Sequence, residues 1–369
     1  MPMGPARKLP APVRRTRETG GVTPVEALER IAFLLEEAHE PTYRVQAFRK
    51  AARLFGDMST DEVETRAAAG TLRELPGIGE VTARVVAEAL AGEVPVYLRR
   101  MEDTRAAGPA DEGAKALRAT ITGDCHMHSD WSDGGSPIHE MAEAARDLGH
   151  QWVALTDHSP RLTVARGLSR ERLLEQLQLV EEINETLAPF RLLTGIEVDI
   201  NEDGSLDQDD DILARLDVVV ASVHSKLRME RNEMTERMIR AVAHPHVDVL
   251  GHCTGRNVSS QGRTGKKRPE SDFDADLVFE ACSLRGVAVE VNSRPERQDP
   301  PKRLLRIALE AGCLVSIDTD AHAPGQLAWQ DGGCDRAFRC GVTAERADAL
   351  NITSWDVDRV VAHGRRHDA

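Results

Sequence analysis

The sequence predicts an α/β protein in which a small all-helical region is followed by a parallel sheet or barrel of seven strands. Three observations carry this. Residues 25–91 show apolar residues at helical spacing and no strand-like run. From about residue 120 onward, short runs rich in β-branched residues alternate with longer amphipathic stretches, the pattern of parallel α/β architecture. The two parts also differ in charge: residues 1–118 hold 18 Lys/Arg and 18 Asp/Glu, so the remainder carries the whole net charge of −14.

Taken in order, residues 1–22 are expected to form a disordered basic arm, because five basic residues and several prolines are joined there by no apolar stretch. The same feature argues against a secretory signal. Residues 23–100 are expected to form one helical domain. Leu28, Ile31, Phe33, Leu34 and Leu35, then Val45, Phe48, Ala51 and Ala52, mark two helices broken at Pro41. A third segment follows, and Leu75-Pro76-Gly77-Ile78-Gly79 then leads into a helical pattern over 83–91 that Gly92 closes. Residues 101–119, polar and rich in Ala, Gly and charge, read as a linker.

Residues 120–369 are expected to form the second domain. Strand runs fall at 121–125, 152–156, 191–196, 218–223, 247–251, 287–291 and 314–317, with helices at 138–148, 170–187, 230–243, 275–284 and 302–311. No apolar run reaches the length of a membrane span. The six cysteines form no CxxC pair and no disulfide framework, which fits a reduced, cytoplasmic protein.

The residues at the strand ends give the main functional signal. The first run leads into His126-Met127-His128 with Asp133 beyond; the second ends in Asp157-His158, the third in Glu197, the fourth in His224, the fifth in His252, the seventh in Asp320-Ala321-His322. Loops at the carboxyl ends of barrel strands converge on one face. A lone histidine there is more often a hydrogen-bonded structural residue, but six of seven ends carrying a ligand type point to a metal centre. The sixth strand ends in Asn292-Ser293-Arg294, which offers no obvious ligand. His39, His139, His150, His244, His246, His363 and His367 lie elsewhere and are expected to be structural.

These motifs resemble the polymerase-and-histidinol-phosphatase family, called PHP. The matching residues are His126-Met127-His128 with Ser132-Asp133-Gly134, Thr156-Asp157-His158-Ser159, Gly195-Ile196-Glu197, Ser222-Val223-His224-Ser225, Gly251-His252 and Asp318-Thr319-Asp320-Ala321-His322. The resemblance implies a distorted (β/α)7 barrel and three divalent metal ions. It places one ion on His126, His128, Glu197 and Asp320, a second on Glu197, His224 and His252, and a third on Asp133, His158 and His322. The mixed imidazole and carboxylate set suits Zn, Mn or Fe without choosing among them. Adjacent divalent ions activate water at neutral pH and stabilise in-line attack on phosphorus, so the expected reaction is phosphoester hydrolysis. Glu197 and Asp320 are then central to catalysis, with Arg166 and Arg256 as the cations expected to neutralise phosphate oxygens; Lys226 and Arg297 are further candidates.

In the helical domain, Gly77-Ile78-Gly79 before a helix resembles a helix-hairpin-helix, which presents backbone N–H groups to a DNA phosphate. Tyr43 to Ala52, including Arg49 and Lys50, is similar to the N-terminal domain of X-family DNA polymerases. Bacterial members of that family place a polymerase palm between such a domain and a PHP domain, and about twenty residues here leave no room for one. No lysine lies between Lys50 and Lys115, so lyase chemistry through a Schiff base is not expected. The basic run from Arg263 to Arg268 is expected to guide an anionic strand toward the site. The leading expectation is therefore a phosphodiesterase acting on DNA, as a 3′ to 5′ exonuclease or in 3′-end processing during repair. A phosphomonoesterase acting on a small metabolite such as histidinol phosphate, and a non-catalytic DNA-binding protein with a structural metal site, stay open as alternatives.

Overall fold

A computed structural model describes residues 21–105, 108–259 and 267–364. The expected basic arm, except for residues 21 and 22, and most of the 263–268 run therefore lie outside the described residues. The chain divides into two compact units, one built on the described residues up to Leu34 with Pro41–Arg105, the other on Leu35–Glu40 and the described residues beyond 105.

The first unit is helical: α1 (Pro24–Glu37), α2 (Thr42–Gly56), α3 (Thr60–Ala69), α4 (Glu80–Leu90) and α5 (Val96–Thr104). Pro41 sits immediately before α2, where its missing N–H costs nothing. The Ser59 side chain accepts from Glu62 N–H to start α3, and Gly70 ends it in the left-handed conformation at φ 70°. Val45, Phe48, Ala52 and Phe55 of α2 are buried, as are Val85, Val86 and Ala89 of α4. Residues 101–119, read as a linker, instead carry the end of α5 and a helix over Glu112–Arg118. Ala114 and Leu117, three apart, bury one face of that helix, which overrides its polar composition.

The second unit is an α/β barrel of seven strands in sequence order: β1 (Gly123–Met127), β2 (Trp152–Leu155), β3 (Arg191–Asp199), β4 (Val218–Ser222), β5 (Val249–Leu250), β6 (Ala288–Asn292) and β7 (Val315–Asp318). Every neighbouring pair is parallel. His128 N–H donates to Ala321 O at 2.8 Å, bringing the first and last strands together so that the sheet nearly closes.

Alternation along the strands sorts the side chains into two populations. Val153 and Leu155 of β2 pack outward on the helices Ile138–Asp147 and Arg170–Leu187, and Ile196 and Val198 of β3 pack against helical residues including Leu173 and Leu177. Trp152, Ala154, Leu193, Val218, Val220, Val249 and Ala288 instead form a separate cluster with Ile352 and Trp355, which fills the amino-terminal end of the barrel. Further along the same inward rows the residues turn polar: Leu193 is followed at intervals of two by Gly195, Glu197 and Asp199, and Ala288 by Glu290 and Asn292. The barrel thus has an apolar floor and a titratable ceiling.

Candidate functional site

His126 and Glu197 lie within their strands, one and two residues before the ends, while His128, His158, His224 and His252 follow theirs. The Glu197 carboxylate, 1% exposed, lies at the middle of the cluster. Its Oε1 is 2.9 Å from His252 Nε2 and 3.2 Å from His224 Nε2. Its Oε2 is 2.8 Å from His158 Nδ1, 3.5 Å from His126 Nε2 and 3.6 Å from His128 Nε2. Asp320 Oδ1 is 3.4 Å from His128 Nε2 and 3.9 Å from His126 Nε2. Asp133 Oδ1 is 3.2 Å from His322 Nε2 and 3.4 Å from His158 Nε2. All nine residues singled out from the strand ends are therefore brought to one mouth of the barrel.

Three sets of donor atoms are close enough to share a cation: His128, Asp133, His158 and His322; His126, His128 and Asp320; and His158, Glu197 and His224. The grouping differs in detail from the resemblance-based one, since His128 and His158 each reach two sets and His252 joins only through Glu197. The residues fit divalent ions on a physical ground. His126 Nε2, both ring nitrogens of His128, His224 Nε2 and both oxygens of Glu197 are buried without a hydrogen-bond partner among the described residues. Burying so many uncompensated polar atoms is costly unless a cation takes their lone pairs.

Opposite charges are crowded together in this buried cluster. Burial alone would raise the Glu197 carboxyl, but the imidazoles of His224, His126 and His158 hold it well below the usual carboxylate range. Burial likewise opposes ionisation of Asp320, and Arg294, His126 and Arg297 overcome it. Burial, with His322 and His158 beside it, pushes His128 well below its ordinary value, and burial with Arg297 lowers His252, toward the neutral imidazole a metal ligand requires. Burial would lower His126, His158 and His224 too, but Glu197 and the carboxylates beside it raise all three, so protons there compete with a cation for the same nitrogens.

The candidate phosphate cations divide. Arg166, at φ 58°, donates to the carbonyls of Asp130 and Ser132, and Arg256 donates to the carbonyls of Arg297 and Gln298. Both guanidinium groups are engaged in bracing loops. Arg297 instead reaches the cluster, its Nε 3.2 Å from Asp320 Oδ2, and Lys226 is exposed. Two carboxylates that strand-end reasoning missed stand behind the histidines: Asp199 Oδ1 is 2.6 Å from His224 Nδ1, and Glu290 Oε1 is 2.6 Å from His126 Nδ1. The signal for both was present, an acidic residue inside an otherwise apolar strand at an inward position. His150, His244 and His363 have partners away from the cluster, at Gln330, Asp210 and Gly286.

In the helical unit, Gly77 adopts φ 79° and both Gly77 and Gly79 are exposed, while the Ile78 side chain is buried. Ile78 N–H donates to Leu75 O, and Gly79 N–H to Thr82 Oγ1. These two bonds shape the turn, and α4 starts directly after it. Lys50 is exposed and Arg49 half-buried on α2.

Among known proteins, the profile of the PHP domain matches residues 124–293, and that of a helix-hairpin-helix domain matches residues 23–94. The DNA polymerase/3′-5′ exonuclease PolX of Bacillus subtilis is 42% identical over 202 residues, which make up 55% of this chain and 34% of that protein. The chain thus spans about a third of the length of that relative. A probable phosphatase of Thermoanaerobacter sp. is 30% identical over 212 residues, 54% of this chain and 78% of the relative. The crystal structure of a histidinol phosphate phosphatase from Lactococcus lactis, complexed with zinc, L-histidinol and phosphate, superposes with a TM-score of 0.45 at 17% identity, covering 60% of this chain and 94% of that one.

Proposed function

Because this chain belongs to the PHP family of metal-dependent phosphoesterases, hydrolases acting on phosphoric ester bonds, we propose that the ester it cleaves is a phosphodiester of DNA near a 3′ end. The observation that carries this reading is the joining of two modules in one chain: a helix-hairpin-helix unit suited to hold a DNA backbone and a barrel with a hydrolytic centre. The relative that is an exonuclease as well as a polymerase supports it.

In this reading three divalent ions would be held by His126, His128, Asp133, His158, Glu197, His224, His252, Asp320 and His322. When bound, such ions supply a nucleophile at neutral pH and charge compensation on both sides of the phosphorus. The chain's own residues do the rest. Glu197 turns one oxygen to His224 and His252 and the other to His126, His128 and His158, so it would be shared between ions. Arg297 holds Asp320 in place and presents its remaining N–H groups to a phosphate oxygen. Arg166 and Arg256 act indirectly, fixing the loops that border the site. The Gly77–Gly79 turn, with Arg49 and Lys50, positions the strand through its phosphates and without reading sequence.

Hydrolysis of a small phosphomonoester is the second reading, favoured by the probable phosphatase that this chain covers over most of its length. The metal-loaded chain, assayed in parallel on 5′-end-labelled DNA and on histidinol phosphate, separates the two. Shortening of the DNA is expected. Turnover confined to histidinol phosphate would reject DNA as the substrate.

A further inference from the structure

The sixth strand is the one described strand whose end supplies no ligand to the candidate metal centre, yet its inward row touches ligands from three other strands. Glu290, fully buried, sits between two ligands. Its Oε1 is 2.6 Å from His126 Nδ1, and its Oε2 accepts the backbone N–H of His252. Two residues on, the buried Asn292 donates from Nδ2 to Asp320 Oδ2 at 3.1 Å and to Glu290 Oε2 at 3.3 Å. Arg294 then donates to the Asp320 carbonyl at 3.1 Å and lies 3.4 Å from its Oδ1. Residues 290, 292 and 294 thus grip ligands from β1, β5 and β7 at once, and each is spaced by two along the chain.

We propose that β6 is a positioning strand for the metal centre, with Glu290 as its main residue, setting the tautomer of His126 and the seat of His252, and Asn292 orienting Asp320. The reasoning is chemical. A carboxylate at hydrogen-bond distance from Nδ1 keeps the proton on that nitrogen, so the lone pair stays on Nε2, the atom that faces Glu197 and Asp320. The second oxygen of the same carboxylate ties the backbone of another ligand, so the spacing between the His126 and His252 rings is fixed by one planar group. A carboxylate is required for both tasks. Glutamine in its place has one acceptor oxygen for two donors, and its NH2 group would confront either His126 Nδ1–H or His252 N–H. The same logic operates once more in the molecule, where Asp199 orients His224 through Nδ1, but Asp199 serves one ligand and Glu290 serves two.

The proposal rests on the metal-centre reading, and its test keeps the two apart. The full chain, stripped with a chelator and titrated with Mn2+ or Zn2+ alone, gives a stoichiometry and affinities by competition with a chromogenic chelator. 15N NMR of histidine-labelled, zinc-loaded protein reports the His126 tautomer. Glu290→Gln is expected to weaken binding about 10–100-fold and to populate both tautomers of His126. As a control, Asp217→Asn alters a buried carboxylate that bonds Thr194, away from the ligand cluster; it should lower the Tm and leave metal affinity as it is. Should Glu290→Gln fail to fold, Asn292→Ala carries the same test, with about a tenfold loss of affinity expected. A variant of either kind that binds metal like the parent, with His126 still in one tautomer, overturns the proposal. A parent chain that binds no metal instead overturns the metal-centre reading.

Discussion

Glu197 shows how much a single side chain can organise, because its two oxygens face different histidines and it comes from the middle of the barrel rim. His128 is its neighbour, belongs to two of the candidate cation sets and has no hydrogen-bond partner on either ring nitrogen among the described residues. Replacing His128 with Ala should therefore reduce phosphoester hydrolysis at least about a hundredfold while DNA binding, measured by fluorescence anisotropy, stays at the parental level. A second residue makes a prediction about stability. His150 is buried against Ala145 O and Gln330 Oε1, and burial, reinforced by Arg118, pushes it down to about 4 from an ordinary 6.5. The unfolded chain then binds a proton that the folded chain refuses between those values, so stability is intact above about pH 6.5 and declines as pH falls toward 4. Up to about 3 kcal/mol is at stake. Urea melts at pH 7 and pH 4.5 should show the loss, and His150→Gln should shrink it. If NMR finds His150 titrating above 6.5, its two acceptor contacts outweigh burial and the prediction fails.

At the scale of elements, the helix Gln330–Phe338 offers a paired test in two adjacent glycines. A Cβ on Gly332 would meet no atom within 4 Å, whereas one on Gly333 would fall 2.1 Å from Ser293 Oγ and 2.8 Å from Ile317 Cγ2. Gly332→Ala should raise stability by about 0.4–1 kcal/mol, since it only removes freedom from the unfolded chain. Gly333→Ala should cost about 1–3 kcal/mol, because the helix packs tightly on β6 and β7. Equal and opposite shifts in Tm are not required, but a shift of the same sign in both would contradict the packing described. In the helical unit, the turn before α4 is held by its own bonds, so an exposed charge can be changed without disturbing it. Lys50→Glu should weaken DNA binding and flatten its salt dependence by about one ion. An unchanged slope of log K against log salt would place the DNA elsewhere.

For the whole molecule, the proposed function assigns DNA binding to the helical unit and hydrolysis to the barrel. Chelation should lower the Tm of the chain, because ions bound only by the folded state stabilise it. It should also abolish hydrolysis while leaving DNA affinity in the helical unit largely intact. Loss of both together on chelation would show that the metal centre, and not the helical unit, holds the nucleic acid. Among the described residues no helix is long and apolar enough to cross a membrane.

The sequence by itself determined the seven strands, their parallel order and the convergence of nine ligand-type residues, because strand periodicity and the polarity of strand ends are local properties that survive without a fold. It also showed the helix-hairpin-helix turn, since glycine spacing before a helix is written in the chain. Tertiary structure alone decided three things. In β1 the pairing steps three residues from Asp124 to Met127 against two on β2, and this bulge lets Cys125 join the barrel floor and Met127 the outer core, although simple alternation puts both on one face. Arg166 and Arg256, adjacent to the motifs in sequence, turn to backbone carbonyls in space, because loop carbonyls without a strand partner compete for a guanidinium. Glu290 and Asp199 acquired their place behind the histidines only when the barrel closed. A strand's inward row is visible in sequence, but which ligand it meets depends on the neighbour that closure sets beside it.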